Sequence, residues 1–384
     1  MKKRKKIILG SITGALALAL AGGGFWAYKT FVPQETPIDK NATVASNFYQ
    51  AVNKDWLLKT KIPADSPSID NFYTLDEDIK GKLKKDIKNL GEGKETSDIT
   101  GMSEFITFYK AASDYKQREK DGLEPLKPYL KEIEDIKDLN DLASKSASLT
   151  DKGIPLPFGY DVGTNAENTS QKQIQLSPPS ILLPDVSIYK DESSKKQYLT
   201  PIETATQKAL EMLGYSEKNS KRIVKEALEF DEIIAKYSLS NEEMSESKNL
   251  VHPKTAEEIN AYSGSFKLYD VIKGIMGRDL ETINVPNTKY FENYSKVVNQ
   301  DNFSKIKSWI LVQEAMAASN SLTEDYRLNF ASISMAIMGT QKPISKEDTV
   351  YEMSVNLFSD VMSVYYGRKY FGEEAKTDVT GMID

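Results

Sequence analysis

From about residue 45 onward, apolar residues recur at helical spacing, and this pattern most limits what the chain can fold into. Ile223, Ala227, Phe230 and Ile234 fall at i, i+4, i+7 and i+11, so they share one face of a helix. Val350, Met353, Leu357, Val361 and Val364 form a second stripe, expected to run for about four turns before Gly367. Gly214 followed by Ser216 reads as one helix stopping and the next being capped. Each such face needs a core to cover it. With 40% apolar residues, a chain of 384 residues can supply one.

The pattern changes between about 152 and 190. Pro155, Pro157, Pro178, Pro179 and Pro184 interrupt helices there, while Ile174 and Leu176 alternate with Gln173, Gln175 and Ser177. A short β excursion is predicted. No repeat with a period of 20 to 50 residues and no low-complexity tract is visible. The expected fold class is mainly α, a large multi-helix body with a small β insert.

The N-terminus reads differently. Lys2, Lys3, Arg4, Lys5 and Lys6 precede a run without charge from Ile7 to Tyr28. As a helix that run reaches across about 30 Å of hydrocarbon. Residues 1-28 are therefore expected to be a basic cytoplasmic stub and a transmembrane signal anchor. The membrane is then a partner through residues 7-28, with the N-terminus cytoplasmic and the remainder outside the plasma membrane. A cleavable signal peptide is the competing reading, because Ala19 and Ala21 make a small-x-small pattern before Gly22. Residues 29-44, with Pro33 and Pro37 among polar residues, read as an extended linker.

Several chemistries are excluded by composition. There is no cysteine, which removes disulfides, thiolate nucleophiles, lipid attachment at a bacterial signal and cysteine-based metal sites. It also fits a bacterial cell-surface protein better than an animal ectodomain. The net charge of -6 gives no reason to expect nucleic acid as a partner. The one histidine, His252, lies just before Pro253, a context that favours a turn over a helix. A lone imidazole cannot build a two-histidine zinc site, so His252 is read as structural or superficial. Acid pairs such as Glu242 with Glu243, or Glu373 with Glu374, read as solvated helix faces, and no calcium-loop spacing appears. No catalytic residue and no metal ligand is assigned, the substrate-binding residues stay unknown, and no cofactor is expected in this chain.

One resemblance adds to this reading. The segment Asn47-Phe48-Tyr49-Gln50-Ala51-Val52-Asn53-Lys54-Asp55-Trp56-Leu57, then Ile62-Pro63-Ala64-Asp65, Asn71-Phe72 and Leu75, resembles the opening signature of the neprilysin-like M13 metallopeptidases. Further matches follow in family order: Phe108-Tyr109, Gly122-Leu123 with Pro125-Leu126, Leu183-Pro184-Asp185 with Tyr189, and Leu213-Gly214. Near the end come Gly339, Tyr366-Gly367, Tyr370-Phe371 and Ala375-Lys376.

The resemblance implies that residues 45-384 are the family's N-terminal helical domain, a cap over a thermolysin-like zinc domain that acts on peptides. The family's His-Glu-x-x-His helix and its substrate strand are not found in this sequence. Asn260-Ala261-Tyr262 imitates the substrate motif but lies too far upstream to take that role. Ser68 stands where animal relatives place an arginine that reaches the substrate's C-terminus. The implied partners are a peptide substrate or ligand and a zinc-bearing catalytic half. The alternative is a catalytically inactive cell-surface protein that binds peptides or other partners. A cap without its partner should leave apolar surface uncovered at about 45 to 80 and on the last helices.

Overall fold

The computed structural model describes residues 38–166 and 168–372, together with Thr377, Thr380 and Gly381. The run 7–28, most of the 29-44 linker, Glu373-Glu374 and Ala375-Lys376 lie outside the described residues. Among those described, no helix is long and apolar enough to cross a membrane. The chain forms two compact units, one from residues up to Lys120 and from Ser334 on, the other from Asp121–Ile333.

In the first unit the core joins helices Asn71–Gly91, Met102–Ala112, Lys346–Leu357 and Ser359–Tyr366. Leu83, Ile87, Met102, Phe105, Tyr351, Met362 and Tyr365 meet there. Gly101 starts the second of these helices at φ 88°, and a Cβ on it would sit 2.8 Å from Val361 Cγ2. Only glycine has both that backbone conformation and that clearance.

The stripe from Val350 to Val364 needs correction. Phe358 (φ -115°, ψ 37°) separates two helices, and the buried face is Val350, Tyr351, Ser354, Met362 and Tyr365. Leu357 is 63% exposed and Val364 also faces outward. Ser354 explains the error: its hydroxyl donates to the Val350 carbonyl (2.7 Å), so a polar residue occupies a core position that a pattern of apolar residues passes over.

In the second unit, helix Glu217–Tyr237 begins where expected: Ser216 Oγ accepts from Asn219 N, after Gly214 at φ 96° has ended helix Glu192–Met212. Ile223, Ala227, Phe230 and Ile234 are all buried, as their spacing requires. This face packs on helix Phe303–Ala317, which is itself buried around most of its girth through Ile306, Trp309, Ile310, Leu311 and Val312. Phe230 and Trp309 meet edge to face at 5.8 Å. A second aromatic centre holds Tyr290, Phe291, Tyr294 and Phe266, with the Tyr290 hydroxyl donating to the Pro157 carbonyl (2.8 Å).

The β excursion is a hairpin of β1 (Gly159–Thr164) and β2 (Lys172–Ser177), with Tyr160 opposite Leu176 and Val162 opposite Ile174. The sheet extends beyond the predicted insert. Two short strands from later in the chain, β3 (Pro253–Lys254) and β4 (Ile283–Asn284), complete the order β1-β2-β4-β3, with β4 parallel to β2. Pro253, which has no N–H to donate, sits on an edge strand, where that lack is harmless.

Candidate docking face and cleft

The chain signature at the opening is a series of helix starts. Asn47 Oδ1 accepts from Gln50 N (3.0 Å) and caps helix Phe48–Val52; Asn53 Nδ2 donates to the Tyr49 carbonyl (3.0 Å) before helix Lys54–Lys59. Between residues 38 and 82 only Gln50 is buried, its Oε1 taken up by Asp39 N (2.8 Å). The segment is fastened farther on, where Gln341 N (2.7 Å) and Lys342 N (2.9 Å) both donate to the Ala64 carbonyl. Its apolar side chains face out: Phe72 is 81% exposed and Phe48 66%, and Tyr49, Val52, Leu58 and Ile62 are exposed as well. The end of the chain behaves alike at Leu357, Val364, Tyr370 and Phe371. Most of the exposed large apolar residues in the described chain thus belong to the first unit and to the two stretches where uncovered surface is expected.

A charged cluster secures the last turn of that unit. Lys369 Nζ reaches Asp86 Oδ1 (2.8 Å), Glu95 Oε2 (2.7 Å) and the Tyr365 hydroxyl (3.0 Å), and Tyr370 donates to Asp86 Oδ2 (2.6 Å). Burial works against the Lys369 charge, but the bonds to Asp86, Glu95 and Tyr365 outweigh it and hold the ammonium above the usual lysine range. Burial, helped by the bond to Asp86, pushes Tyr370 up to about 12.

The second unit buries one carboxylate completely. Asp231 accepts from Leu182 N (3.0 and 3.1 Å), from Trp309 Nε1 (3.0 Å) and from the Tyr189 hydroxyl. Removal from water raises it from 3.8 to about 6, against the pull of these donors. The Leu183-Pro184-Asp185…Tyr189 motif thereby gains a structural meaning. Asp185 caps the 3-10 turn Val186–Lys190 through Ser187 N (2.7 Å) and also holds Asn241 N (2.8 Å), while Tyr189 reaches Asp231. Sequence reasoning missed Asp231; the available signal was an acid four residues after Ala227, on the buried face of its helix.

The remaining residues singled out in the sequence take part in local bonding or lie on the surface. His252 lies in an extended approach to β3, its N–H donating to Asn284 Oδ1 (2.6 Å) and its carbonyl accepting from Val285 N (3.0 Å). Asn260 Oδ1 accepts from Tyr269 N (3.1 Å), which ties helix Ala256–Tyr262 to the next. Glu243 closes a capping box with Ser240, and Ser68 is exposed. Among the described residues no group of three or more histidine or acidic side chains could hold a metal ion. Beside the capping Asp185 opens a cleft of about 570 Å³, walled by the β1–β2 hairpin and the Pro178–Pro184 segment.

The sequence profile of peptidase family M13 matches residues 44–384. The chain belongs to peptidase family M13. Among M13 relatives, it is 32% identical over 346 residues to the neutral endopeptidase of Lactobacillus helveticus, which covers 90% of this chain and 53% of the relative. It is 28% identical to the neutral endopeptidase of Lactococcus lactis subsp. lactis, over 88% of this chain and 54% of that protein. It therefore spans about half the length of the curated M13 relatives it matches. The crystal structure of PEPO from Lactobacillus rhamnosis superposes with a TM-score of 0.82 at 23% identity, over 89% of this chain and 54% of that one. The Mycobacterium tuberculosis zinc metalloprotease ZMP1 gives 0.78 at 18%, over 91% and 53%. These likenesses establish the fold, a mainly helical M13 domain with a small sheet. The M13 relatives named as zinc enzymes imply a metal that the described residues do not fit, since no group of three or more histidine or acidic side chains among them could hold one.

Proposed function

We propose that this chain is the cap portion of a membrane-anchored zinc metalloendopeptidase acting on peptides, with the zinc-binding catalytic half supplied by residues outside it. The observation that carries the reading is the apolar face of the first unit. Phe48, Phe72 and Leu357 are more than half exposed, although residues of this size are usually covered. They fall in the opening signature and the last helices, the two stretches by which a cap would meet a zinc domain. The zinc-bearing half is therefore the partner we assign to that face. The basic cluster Lys2 to Lys6 and the uncharged run 7–28 support anchoring in the plasma membrane with this domain outside.

The test is to purify the full chain and measure bound zinc, peptide hydrolysis with and without added zinc, and fluorescence of a dye that binds apolar surface. The chain alone is expected to hold no stoichiometric zinc and to cleave nothing. The dye is expected to bind, and to lose most of its signal in a Phe48→Ser/Phe72→Ser/Leu357→Ser variant. Stoichiometric zinc with chelator-sensitive cleavage would overturn the division of labour. A dye signal unchanged by the triple substitution would remove the docking face.

A further inference from the structure

The cleft in the second unit has a lining of one kind. Its charged members are Asp161 and Asp185, and no lysine, arginine or histidine borders it. Pro178, Pro179, Pro184 and Pro286 contribute carbonyls and no N–H groups. Two carboxamides stand ready on it. Asn287 is 4% exposed; its Oδ1 accepts from Leu239 N and Tyr290 N (both 3.3 Å), and its Nδ2 bonds to no described residue. The Gln175 side chain likewise has no hydrogen-bond partner among the described residues. The hairpin is built to keep that wall in place: a Cβ on Gly163 would overlap the Gln175 amide, and one on Gly159 would overlap Ser177 Oγ.

We propose that this cleft binds a peptide segment bearing an arginine or lysine side chain. Gln175 offers a donor and an acceptor, the complement of a peptide unit, and Asn287, whose Oδ1 is already taken, offers its Nδ2 to a peptide carbonyl, so the pair suits an extended backbone. The side chain's cationic head goes to Asp161, which is exposed and uses only Oδ1, for Val162 N (2.7 Å). Its alkyl stem lies along Leu239 and Met244. Asp185 remains ionised, since its bonds from Ser187 and Asn241 outweigh its partial burial, and it adds negative potential. An acidic peptide would meet two carboxylates in the lining, with Lys190 near Asp185 and Lys289 on the Ser238 carbonyl the cations beside it, and a bare metal ion would lack a third ligand. Binding does not depend on the peptidase reading; within that reading it would bias the choice of peptide toward basic segments.

The test uses the full chain labelled with 13C-methyl methionine, with the Met244 signal assigned by Met244→Leu. The probes are acetyl-Ala-Arg-Ala-amide and the same peptide with citrulline, the uncharged relative of arginine. The arginine peptide is expected to shift Met244 saturably, and citrulline to bind about five-fold more weakly, the scale of one exposed ion pair. Asp161→Asn is expected to lower affinity for the arginine peptide by the same factor and to leave the citrulline peptide unchanged. Gly163→Ala should weaken both peptides, with the other methionine signals reporting an intact fold. Free guanidinium should bind more weakly than the arginine peptide. A silent Met244, equal binding of citrulline, indifference to Asp161→Asn, or guanidinium binding as well as the peptide would each overturn the proposal.

Discussion

Replacing Asp231 with alanine removes the common acceptor of Leu182 N, Trp309 Nε1 and the Tyr189 hydroxyl. A buried donor left without an acceptor costs about 1–3 kcal/mol, so three of them come to roughly 3–9 kcal/mol. Part of this is returned at neutral pH, because a carboxyl raised from 3.8 to about 6 is ionised there against its environment. That shift corresponds to about 3 kcal/mol. The folded-state value lies above the unfolded one, so the group's stabilising contribution is complete below pH 3.8 and is lost as pH rises through about 6. Asp231→Ala should therefore cost more at pH 4.5 than at pH 7.5. Asp231→Asn should cost roughly 1–2 kcal/mol, since the Tyr189 hydroxyl can turn from donor to acceptor, and should flatten the pH dependence between 4 and 7. Urea denaturation followed by tryptophan fluorescence at both pH values measures this, with Trp309 at the network itself. Equal pH slopes for wild type and Asp231→Asn would refute the assignment of the titration to Asp231. A cost of less than about 1 kcal/mol for Asp231→Ala at pH 4.5 would refute the counting of donors.

Other perturbations separate the core of the first unit from its open face. Phe105→Ala, at a fully buried ring, is expected to cost about 3–5 kcal/mol, whereas Phe72→Ser should stay within about 0.5 kcal/mol; thermal melts of the two variants decide it. Gly101→Ala should destabilise by about 1–3 kcal/mol through its positive φ and the approach to Val361, and Val361→Ala should recover part of that loss. Lys369→Met leaves the buried Asp86 with one donor, and faster amide hydrogen exchange across 359–371, with 217–237 unchanged, is the expected signature.

What could be read from the sequence follows from where side chains carry their own information. Ile223, Ala227, Phe230 and Ile234 announce a buried face because every one is apolar, and Gly214 and Ser216 announce its start because backbone geometry demands such residues. The face of the last helices was misread because Ser354 hides a core position, and because Leu357 and Val364 are apolar without being buried. The hairpin was legible from alternation at 173–177, but β3 and β4 are two residues each and carry no period. The expectation of no zinc site in this chain rested on composition alone, one histidine and no cysteine. The cleft was invisible, since Tyr160, Pro178, Leu239 and Asn287 are brought together only by the fold.

The bond from Gln341 and Lys342 to Ala64 joins the beginning of the chain to a region near its end, with the whole of Asp121–Ile333 lying between. During synthesis at about 5–20 residues per second, the early half of the first unit waits roughly 10–40 seconds for its partner helices. The second unit, one unbroken stretch, can complete itself in that interval. The early helices spend the wait with Leu83, Ile87 and Phe105 lacking the Tyr351, Met362 and Tyr365 that complete their core, so chaperone capture competes with folding for these residues first.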